Sequence, residues 1–471
     1  MSQVETPAAV TTPPPIPAAV WRLAVVIVFG AFMSTLDTSV VNVGLDRMAH
    51  SLDTPLATTQ WVASGYLLAL AAAMPVTGWL TRRIGARPVW LAALASFTLI
   101  SGACVLAGNM SELIVLRVLQ GVAGGMLVPA GQIILARAAG PARMGRVMST
   151  VGIAVVLAPV IGPVLGGLLI NLSWRWLFAI NLPIGAVGLI AGLRRIPRQP
   201  PVGTGRLDLI GVVLSGAGLS LFTYGVIVAG QRGGLDSAGA IGGLAGGALA
   251  LTVFAVRALR IPAPLLNLHL WRNRGFSAAL AVGFFGGGAL FGVLVLMPLY
   301  FEIQRGQSTV ATGLLMIGQG VGAAITMPLA GRLTDRFGGG IVSMAGLSIT
   351  AISIVPLALM GAHTSLVAVE AVTVLLGVGL GFSLMPAAAA AYGAISPDQL
   401  ADATPQLNAV QRVGGSIGTA LCVVVVSRGL SAHHAPVTAF HAGLWFLFAA
   451  TVLALLPAAV LTRVLRRRPA H

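Results

Sequence analysis

Two charged side chains stand inside long apolar stretches of the chain. Asp37 lies in the stretch 21–44, and Arg117 lies in the stretch 112–135. A carboxylate in such surroundings is costly to keep charged, and it can bind and release a proton when those surroundings change. A nearby guanidinium favours the charged carboxylate and therefore proton release. The pair predicts proton transfer; the alternative is that Asp37 makes only a structural hydrogen bond to a neighbouring helix.

Helical geometry places these two side chains at similar depths. At 1.5 Å per residue, Arg117 lies about 8 Å from the start of its stretch, and Asp37 lies about 10 Å from the end of its own. Both distances are measured from the same side, because the two stretches are expected to run in opposite directions. The spacing therefore allows the guanidinium and the carboxylate to touch.

Other polar side chains in the apolar stretches are weaker candidates. Glu302 closes the stretch 276–301, and Glu370 lies about 6 Å inside the stretch 366–388. Either is a candidate second site for a proton or a cationic substrate, and the alternative is that it only reaches the lipid headgroups. The candidates for a substrate path are Asn42, Gln60, Trp61, Tyr66, Gln120, Gln319 and Gln411. Interfacial anchoring is the alternative role for Gln60, Trp61 and Tyr66. Hydrogen bonding between helices is the alternative role for four polar residues of two later stretches, Gln319, Asn408, Gln411 and Arg412.

The composition excludes a soluble enzyme. Of the 471 residues, 57% are hydrophobic and only 8% are charged, whereas soluble domains carry about 25% charged residues. All 28 basic residues are arginine, so neither a Walker A lysine nor a lysine Schiff base is available. The two cysteines, Cys104 and Cys422, form no framework for a metal site. We therefore expect no catalytic site, no metal and no cofactor, with a proton gradient as the energy source.

Fourteen stretches are long and apolar enough to cross a bilayer. A hydrocarbon core of about 30 Å requires roughly 20 apolar residues in a helix. The predicted spans are 21–44, 57–79, 88–108, 112–135, 147–170, 177–194, 208–229, 237–258, 276–301, 311–331, 341–361, 366–388, 407–427 and 440–463. The sequence thus predicts an all-α, polytopic membrane protein, preceded by a disordered cytoplasmic tail over 1–20 that is rich in proline.

The arginines predict the orientation of these spans. If the N-terminus is cytoplasmic and the spans alternate, 21 arginines lie on the cytoplasmic side and five lie on the other side. Such an excess is the positive-inside pattern, and it places both termini in the cytoplasm. The net charge of +16 is then explained by anionic lipid headgroups, so no nucleic-acid partner is expected.

An internal repeat divides the spans into groups. Residues 74–85 and 327–338 share seven of twelve identical positions, and both segments end a span on the cytoplasmic side. The two copies are 253 residues apart, which corresponds to eight spans, whereas a plain six-helix repeat would correspond to six. The sequence therefore predicts a 6+2+6 plan, typical of a transporter with two six-helix halves. The predicted units are a first half at 21–200, two inserted helices at 201–262, a second half at 263–463 and a basic tail at 464–471.

Four short motifs, together with the repeated loop at 78–90, carry a resemblance to a known family. Residues 36–45 (LDTSVVNVGL) resemble LDxTxVNVALP, and residues 116–125 (LRVLQGVAGG) resemble RxxQGxGxA. Residues 158–167 (APVIGPVLGG) resemble GxxxGPxxGG, and residues 174–185 (WRWLFAINLPIG) resemble WRWxFxINxPIG, the most specific of the four. These motifs resemble the major facilitator superfamily, and more closely its fourteen-span drug:proton antiporters of the EmrB/QacA type. The resemblance covers essentially all of 21–463.

The resemblance implies roles for several further residues. Because segment 158–167 resembles GxxxGPxxGG, the resemblance implies that it is the family's antiporter motif, with the residues Pro159, Gly162, Pro163, Gly166 and Gly167. The family pattern GxLADRxGRK implies conformational-switch loops with Gly78, Arg83, Gly85 and Arg87 in the first copy, and Gly331, Asp335, Arg336 and Gly338 in the second. The first copy departs from that pattern at Arg82, where the family has an aspartate. We therefore expect Arg82 to act only as a positive anchor at the cytoplasmic surface.

Taken with the resemblance, these observations lead us to expect a proton-coupled exporter that works by alternating access. The expected substrates are lipophilic or cationic small molecules, as in multidrug efflux that confers antibiotic resistance. The expected location is the bacterial cytoplasmic (inner) membrane, where a periplasmic adaptor protein is a candidate partner. The main alternative is an exporter of one endogenous metabolite, such as a siderophore or an antibiotic. A proton-coupled importer or a membrane sensor that transports nothing is favoured less.

Overall fold

The computed structural model of the chain describes residues 15–198, 200–201, 203, 205–231, 234, 237–361, 364–431 and 436–466. Most of the predicted N-terminal tail (1–20) and of the predicted basic tail (464–471) lies outside these residues. Fourteen helices are long and apolar enough to cross a membrane, which confirms the number of predicted spans.

We number these helices in chain order. They are α1 (Ala18–Val43), α2 (Trp61–Ile84), α3 (Ala86–Leu106), α4 (Met110–Ala139), α5 (Met144–Ile170), α6 (Asn181–Arg195), α7 (Leu209–Gln231), α8 (Ala238–Arg260), α9 (Arg274–Leu299), α10 (Thr309–Phe337), α11 (Gly339–Leu359), α12 (Leu366–Gly393), α13 (Leu400–Ser431) and α14 (Pro436–Arg466). The largest difference from the prediction is at α13, which starts seven residues before the predicted position 407. Its first turns carry Asp402, Gln406 and Asn408, so the hydropathy of this end is too low to mark a span.

Local sequence signals set several helix ends. The Asn109 side chain accepts a hydrogen bond from the Glu112 N–H at 2.9 Å and begins α4, which satisfies a donor that the helix itself cannot pair. Gly85 joins α2 to α3 with a φ of 92°, and Gly338 joins α10 to α11 with a φ of 86°. Both positions require a conformation that glycine adopts readily. They are equivalent positions in the two copies of the repeat, which therefore also share their backbone turns.

The helix packing repeats with the same offset of eight helices. In the first half (α1–α6), α1 packs against α5 and α6, α4 packs against α2 and α3, and α3 packs against α6. In the second half (α9–α14), α9 packs against α13 and α14, α12 packs against α10 and α11, and α11 packs against α14. Each pairing in one half thus has its counterpart in the other, which accounts for the sequence repeat.

The inserted pair (α7 and α8) packs on the outside of the two halves. The two helices contact each other closely, because Gly225 and Gly243 let their backbones approach. Helix α7 then contacts α2 of the first half and α13 of the second. Just before α7, the Asp208 carboxylate accepts hydrogen bonds from the Gly211 N–H at 2.9 Å and from Arg257 of α8 at 3.0 Å. Burial raises the pKa of Asp208, but these hydrogen bonds outweigh it and hold the pKa below its ordinary value.

The two halves meet along two sets of helices. Helix α5 packs against α10 and α12, and α13 packs against α2 and α4. We call the end of the bundle where α1 begins and α2 ends the arginine-rich face, because Arg82, Arg83, Arg143, Arg146 and Arg336 lie there. The contacts between the halves at this face decide which side of the protein is closed.

Candidate functional site

The two charged residues singled out in the sequence form an ion pair inside the first half. The Arg117 Nη1 atom of α4 donates to the Asp37 Oδ2 atom of α1 at 2.5 Å. The side chains are 1% and 0% exposed. The prediction that they can touch is therefore confirmed. An ion pair that is so fully removed from water is rare, and it marks this position as a candidate functional site.

The second carboxylate oxygen is held by neutral donors. The Asn181 Nδ2 atom of α6 donates to Asp37 Oδ1 at 2.8 Å and to Ser101 Oγ of α3 at 2.9 Å. The Gln120 Nε2 atom donates to the same Ser101 hydroxyl at 2.7 Å. Four helices, α1, α3, α4 and α6, thus converge on one carboxylate. Both of its oxygens accept hydrogen bonds, one from the Arg117 guanidinium and one from the Asn181 amide, so donors from separate helices hold this carboxylate in place.

Arg117 has further partners besides Asp37. Its Nε atom donates to the Val62 carbonyl oxygen at 3.1 Å, and its Nη1 atom donates to Gln120 Oε1 at 2.6 Å. The guanidinium also lies 4.1 Å from the centre of the Tyr66 ring, where a cation–π interaction stabilises it. Arg117 therefore keeps several acceptors and a ring contact when the Asp37 carboxylate is neutralised.

Two residues predicted to line a substrate path belong to this network instead. Tyr66 and Gln120 are both 0% exposed, and the Tyr66 hydroxyl is hydrogen-bonded to Ser34 of α1. Neither side chain faces open space in this conformation. Sequence reasoning did not select Asn181, although it lies inside the WRWLFAINLPIG motif, which was the available signal. Ser101 had no comparable signal, because serine is common in membrane helices.

The predicted antiporter motif packs directly against the helix that carries Asp37. A Cβ atom added to Gly162 of α5 would lie 2.2 Å from Ser39 Oγ of α1, and one added to Gly166 would lie 3.1 Å from Val43. The Ser39 hydroxyl donates to the Pro159 carbonyl oxygen at 3.3 Å. This oxygen has no N–H donor within its own helix, because the residue four positions later is Pro163. Gly167 is different, because nothing lies within 4 Å of an added Cβ atom there.

This difference gives a matched pair of substitutions within one motif. We expect Gly162→Ala to push α1 away from α5, with an overpacking cost of about 1–3 kcal/mol. The measurement is the melting temperature of the purified protein, together with its transport rate. Gly167→Ala is the control and should match the native chain in both. Equal behaviour of the two variants would contradict a specific contact between α1 and α5 at Gly162.

The second switch loop connects the two halves at the arginine-rich face. Asp335 of α10 accepts hydrogen bonds from Arg146 Nε at 2.5 Å and from the Gly145 N–H at 2.8 Å, both at the start of α5. The N-terminus of a helix favours a negative charge, so this position suits a carboxylate. Gly331 lies against the backbone of Arg146, where an added Cβ atom would be 2.7 Å from its Cα. Asp335 and Gly331 therefore hold the halves together.

The first switch loop also connects the halves, through the residue that departs from the family pattern. Arg82 of α2 forms an ion pair with Asp402 of α13 and donates to the Leu265 carbonyl oxygen at 3.4 Å. The expectation that Arg82 only anchors the loop at the surface is therefore wrong. Its partner lies 320 residues further along the chain, so local sequence gave no sign of it. Gly78 supports the contact, since its Cα lies against the Ala401 backbone.

The remaining arginines of the loops have local contacts. Arg83 lies 5.8 Å from the ring centre of Trp79, and Arg336 lies 5.1 Å from that of Phe337. Arg87 donates to the Leu193 carbonyl oxygen at 2.8 Å, at the end of α6. None of these three contacts joins the two halves. The inter-half contacts described here are those of Arg82, Gly78, Asp335 and Gly331, and they close the bundle at the arginine-rich face.

The other candidate carboxylates lie away from Asp37. Glu302 sits in a short π-helical turn after α9 and is partly exposed. Glu370 of α12 is partly exposed, accepts from Thr373 Oγ1 at 3.4 Å and lies against Gly318 of α10. Neither belongs to the network around Asp37, and neither forms an ion pair among the residues that the structure describes.

The remaining path candidates are scattered. Trp61 stacks on Tyr224 of α7 with ring centres 6.1 Å apart, next to Gln60. Asn42 is exposed and Gln411 is partly exposed. Gln319 is buried, and its Oε1 atom has no hydrogen-bond donor among the described residues. The structure therefore does not bring the predicted path residues together in one place.

Comparison with known proteins identifies the family. The sequence model of the family described as "Major Facilitator Superfamily" matches residues 27–419 and 307–471. The chain belongs to the major facilitator superfamily. The family and the fold make the protein a transporter and not an enzyme, which confirms the family resemblance and the exclusion of enzymes drawn from the sequence.

Bacterial relatives and solved structures agree with this assignment. The chain is 36% identical over 410 residues to the "Multidrug resistance protein B homolog" of Mycobacterium tuberculosis, covering 86% of this chain and 76% of that protein. It is 34% identical over 347 residues to the "Putative multidrug resistance protein MdtD" of Escherichia coli, covering 72% and 73%. The fold matches that of the proton:xylose symporter XylE with a TM-score of 0.65 at 17% identity, covering 94% of this chain and 95% of that chain. It also matches human MFSD10, described as an organic anion transporter, with a TM-score of 0.66 at 16% identity, covering 95% of this chain and 100% of that chain. At these identities the two structures show the fold alone.

Proposed function

We propose that this major facilitator protein is a proton-coupled exporter, a drug:proton antiporter that works by alternating access. The buried ion pair between Asp37 and Arg117 carries the proposal, because it combines a titratable carboxylate with a cation that has other acceptors in reach. The names of its relatives, which are multidrug resistance proteins, support efflux of lipophilic or cationic small molecules.

The proton step follows from the contacts of Asp37. A proton that binds to the Asp37 carboxylate replaces the charge-assisted bond from Arg117 Nη1. Arg117 then remains on Gln120 Oε1, on the Val62 carbonyl oxygen and over the Tyr66 ring. When the proton leaves, the ion pair forms again. The two states differ in how strongly α1 is bound to α4, and this difference is what couples the proton to a movement of α1.

The conformational step uses the contacts between the halves. The structure is closed at the arginine-rich face through Arg82–Asp402 and Asp335–Arg146, and we assign this face to the cytoplasm from its excess of arginine. The closed state then faces outward. Return to the inward-facing state requires both ion pairs to break while α1 slides on the glycines of α5. Neutralising Asp37 frees α1 for this movement.

The energy available is sufficient for export without ATP. One proton that moves down a potential of 100 mV releases about 2.3 kcal/mol. One or two protons per uncharged substrate molecule therefore sustain a gradient of about 50-fold to about 2,000-fold, since 1.4 kcal/mol corresponds to a factor of ten, and a singly charged cation needs one further proton for the same gradient. We place the protein in the bacterial cytoplasmic membrane, where such a potential exists.

The proposal is tested by reconstitution into proteoliposomes loaded with a pH-sensitive dye. Ethidium is the first probe, because it is a lipophilic cation whose fluorescence reports its position. We expect ethidium to accumulate against its own concentration gradient only when a proton gradient is imposed, and we expect each addition of ethidium to move protons in the opposite direction. Collapse of the gradient with an uncoupler is the control. Uphill ethidium accumulation that persists without a proton gradient would contradict proton coupling, and no ethidium movement in either condition would contradict the efflux of lipophilic cations.

A further inference from the structure

A second arginine lies deep inside the bundle. Arg412 is on α13, twelve residues after the start of that helix at Leu400, or about 18 Å along its axis. Arginine keeps its charge in proteins. A charge at this depth is costly unless another charge, a polar cavity or a ligand compensates for it. Arg412 is not part of the proton network around Asp37.

The contacts of α13 show which way Arg412 faces. One helical turn earlier, Asn408 Nδ2 donates to Gln132 Oε1 of α4 at 2.6 Å, and the Tyr392 hydroxyl of α12 donates to the same oxygen at 3.4 Å. Residues four positions apart share one face of a helix, so Arg412 faces the first half as Asn408 does.

Arg412 lines an internal space between the two halves. The residue is partly exposed, and its helix α13 packs against α2 and α4 of the first half. The exposed part of Arg412 therefore lies on the side of α13 that faces the first half and not on the lipid side. Asn408 already donates its amide to Gln132 and to the Thr404 carbonyl oxygen. Arg412 therefore supplies the charge of this space.

No carboxylate compensates for this charge among the described residues. The five ion pairs found there use Asp37, Asp46, Asp208, Asp335 and Asp402, each with a different cation, and none includes Arg412. The contrast with Arg117 is direct. Both arginines lie deep in the bundle, but Arg117 has a carboxylate at 2.5 Å whereas Arg412 is open to an incoming anion.

We infer that Arg412 receives an anionic group of the transported compound, a carboxylate or a sulfonate carried on an apolar body. The inference rests on the proposed export function and narrows its substrates, because an unpaired cation disfavours the cationic compounds expected from the sequence. The guanidinium offers several N–H donors in one plane, which suits a two-oxygen anion.

The test compares two probes that differ by one sulfonate group. 1-Anilinonaphthalene-8-sulfonate and N-phenyl-1-naphthylamine share one aromatic body, and only the first is an anion. The protein is purified in lipid nanodiscs, and binding is taken as the saturable fluorescence in excess of that of protein-free nanodiscs. We expect the native chain to bind the anion about tenfold more tightly than the neutral probe, as a charge-assisted contact implies. Arg412→Gln should remove this difference without weakening neutral binding, and Arg412→Lys should keep part of it.

Melting temperatures separate a binding role from a structural one. Since Arg412 has no counter-ion, Arg412→Gln should melt at or above the native temperature. Arg117→Gln is the matched control and should melt lower, because it leaves Asp37 buried without its cation. Equal native affinities for the two probes, an unchanged preference in Arg412→Gln, or a clearly lower melting temperature of that variant would each overturn the inference.

These measurements are made at equilibrium and without a gradient. An absence of anion preference alongside gradient-driven export of ethidium would therefore overturn the inference about Arg412 and leave the exporter proposal standing. An anion preference that depends on Arg412, in a protein that moves no probe under a gradient, would support the inference about Arg412 and overturn the exporter proposal.

Discussion

Asp37→Asn is expected to abolish gradient-driven export and to leave the protein folded. The amide has the shape of the carboxylate and still offers an oxygen to Arg117 Nη1, but it carries no proton. Substrate exchange between the two sides of the membrane, which needs no net proton movement, should persist. The measurement is gradient-driven transport in proteoliposomes beside substrate counterflow at equal protein content. We expect the first to fall to the level of protein-free vesicles and the second to remain.

The chain offers a matched control for this substitution. Asp46 lies nine residues later, pairs weakly with His50 and has a side chain that is 80% exposed. Asp46→Asn should transport as the native chain does, because an exposed ion pair is screened by water and holds no helix in place. Gradient-driven export by Asp37→Asn at the native rate would show that Asp37 is structural. Glu302 or Glu370 would then be the next candidate proton site.

The fold was largely predictable because its signals are long and redundant. So many twenty-residue apolar stretches do not fit into the core of a soluble protein of this size. The positions of the arginines and the repeat of segment 74–85 each give independent support for the number of spans. Helix ends were less predictable, as at α13, where polar residues near Leu400 extend the helix beyond its apolar part. Hydropathy detects the lipid-facing length of a helix and not its hydrogen-bonded length.

The candidate site was predictable only in part. A charge in an apolar stretch is conspicuous, so Asp37 and Arg117 were found, and their depths matched. Neutral partners such as Ser101 are not conspicuous, because their residue types are common in membrane helices. The partner of Arg82 could not be inferred, since only the docking of the two halves brings Asp402 beside it. Contacts between domains depend on tertiary geometry that the pattern of one segment does not contain.

The ion pair between Arg82 and Asp402 leads to the second prediction, a reversal of charge. Their side chains are 21% and 15% exposed, so the pair is shielded from solvent more than a surface pair is. Arg82→Asp removes the attraction and places two carboxylates together, at a cost on the order of several kcal/mol. We expect this variant to open at the arginine-rich face and to lose most of its transport. The double variant Arg82→Asp, Asp402→Arg should restore the closed state and transport.

The measurement is the distance between spin labels on cysteines introduced at Ile84 of α2 and Phe337 of α10. Both positions are about half exposed at the arginine-rich face, and the native Cys104 and Cys422 are buried, so labelling is directed to the new sites. Each 1.4 kcal/mol by which the substitution destabilises the closed state changes the ratio of closed to open molecules about tenfold. A purely local role for Arg82 at the membrane surface predicts no recovery in the double variant. Recovery of both the short distance and the transport rate requires that the charges attract each other across the two halves, whichever half carries the positive one.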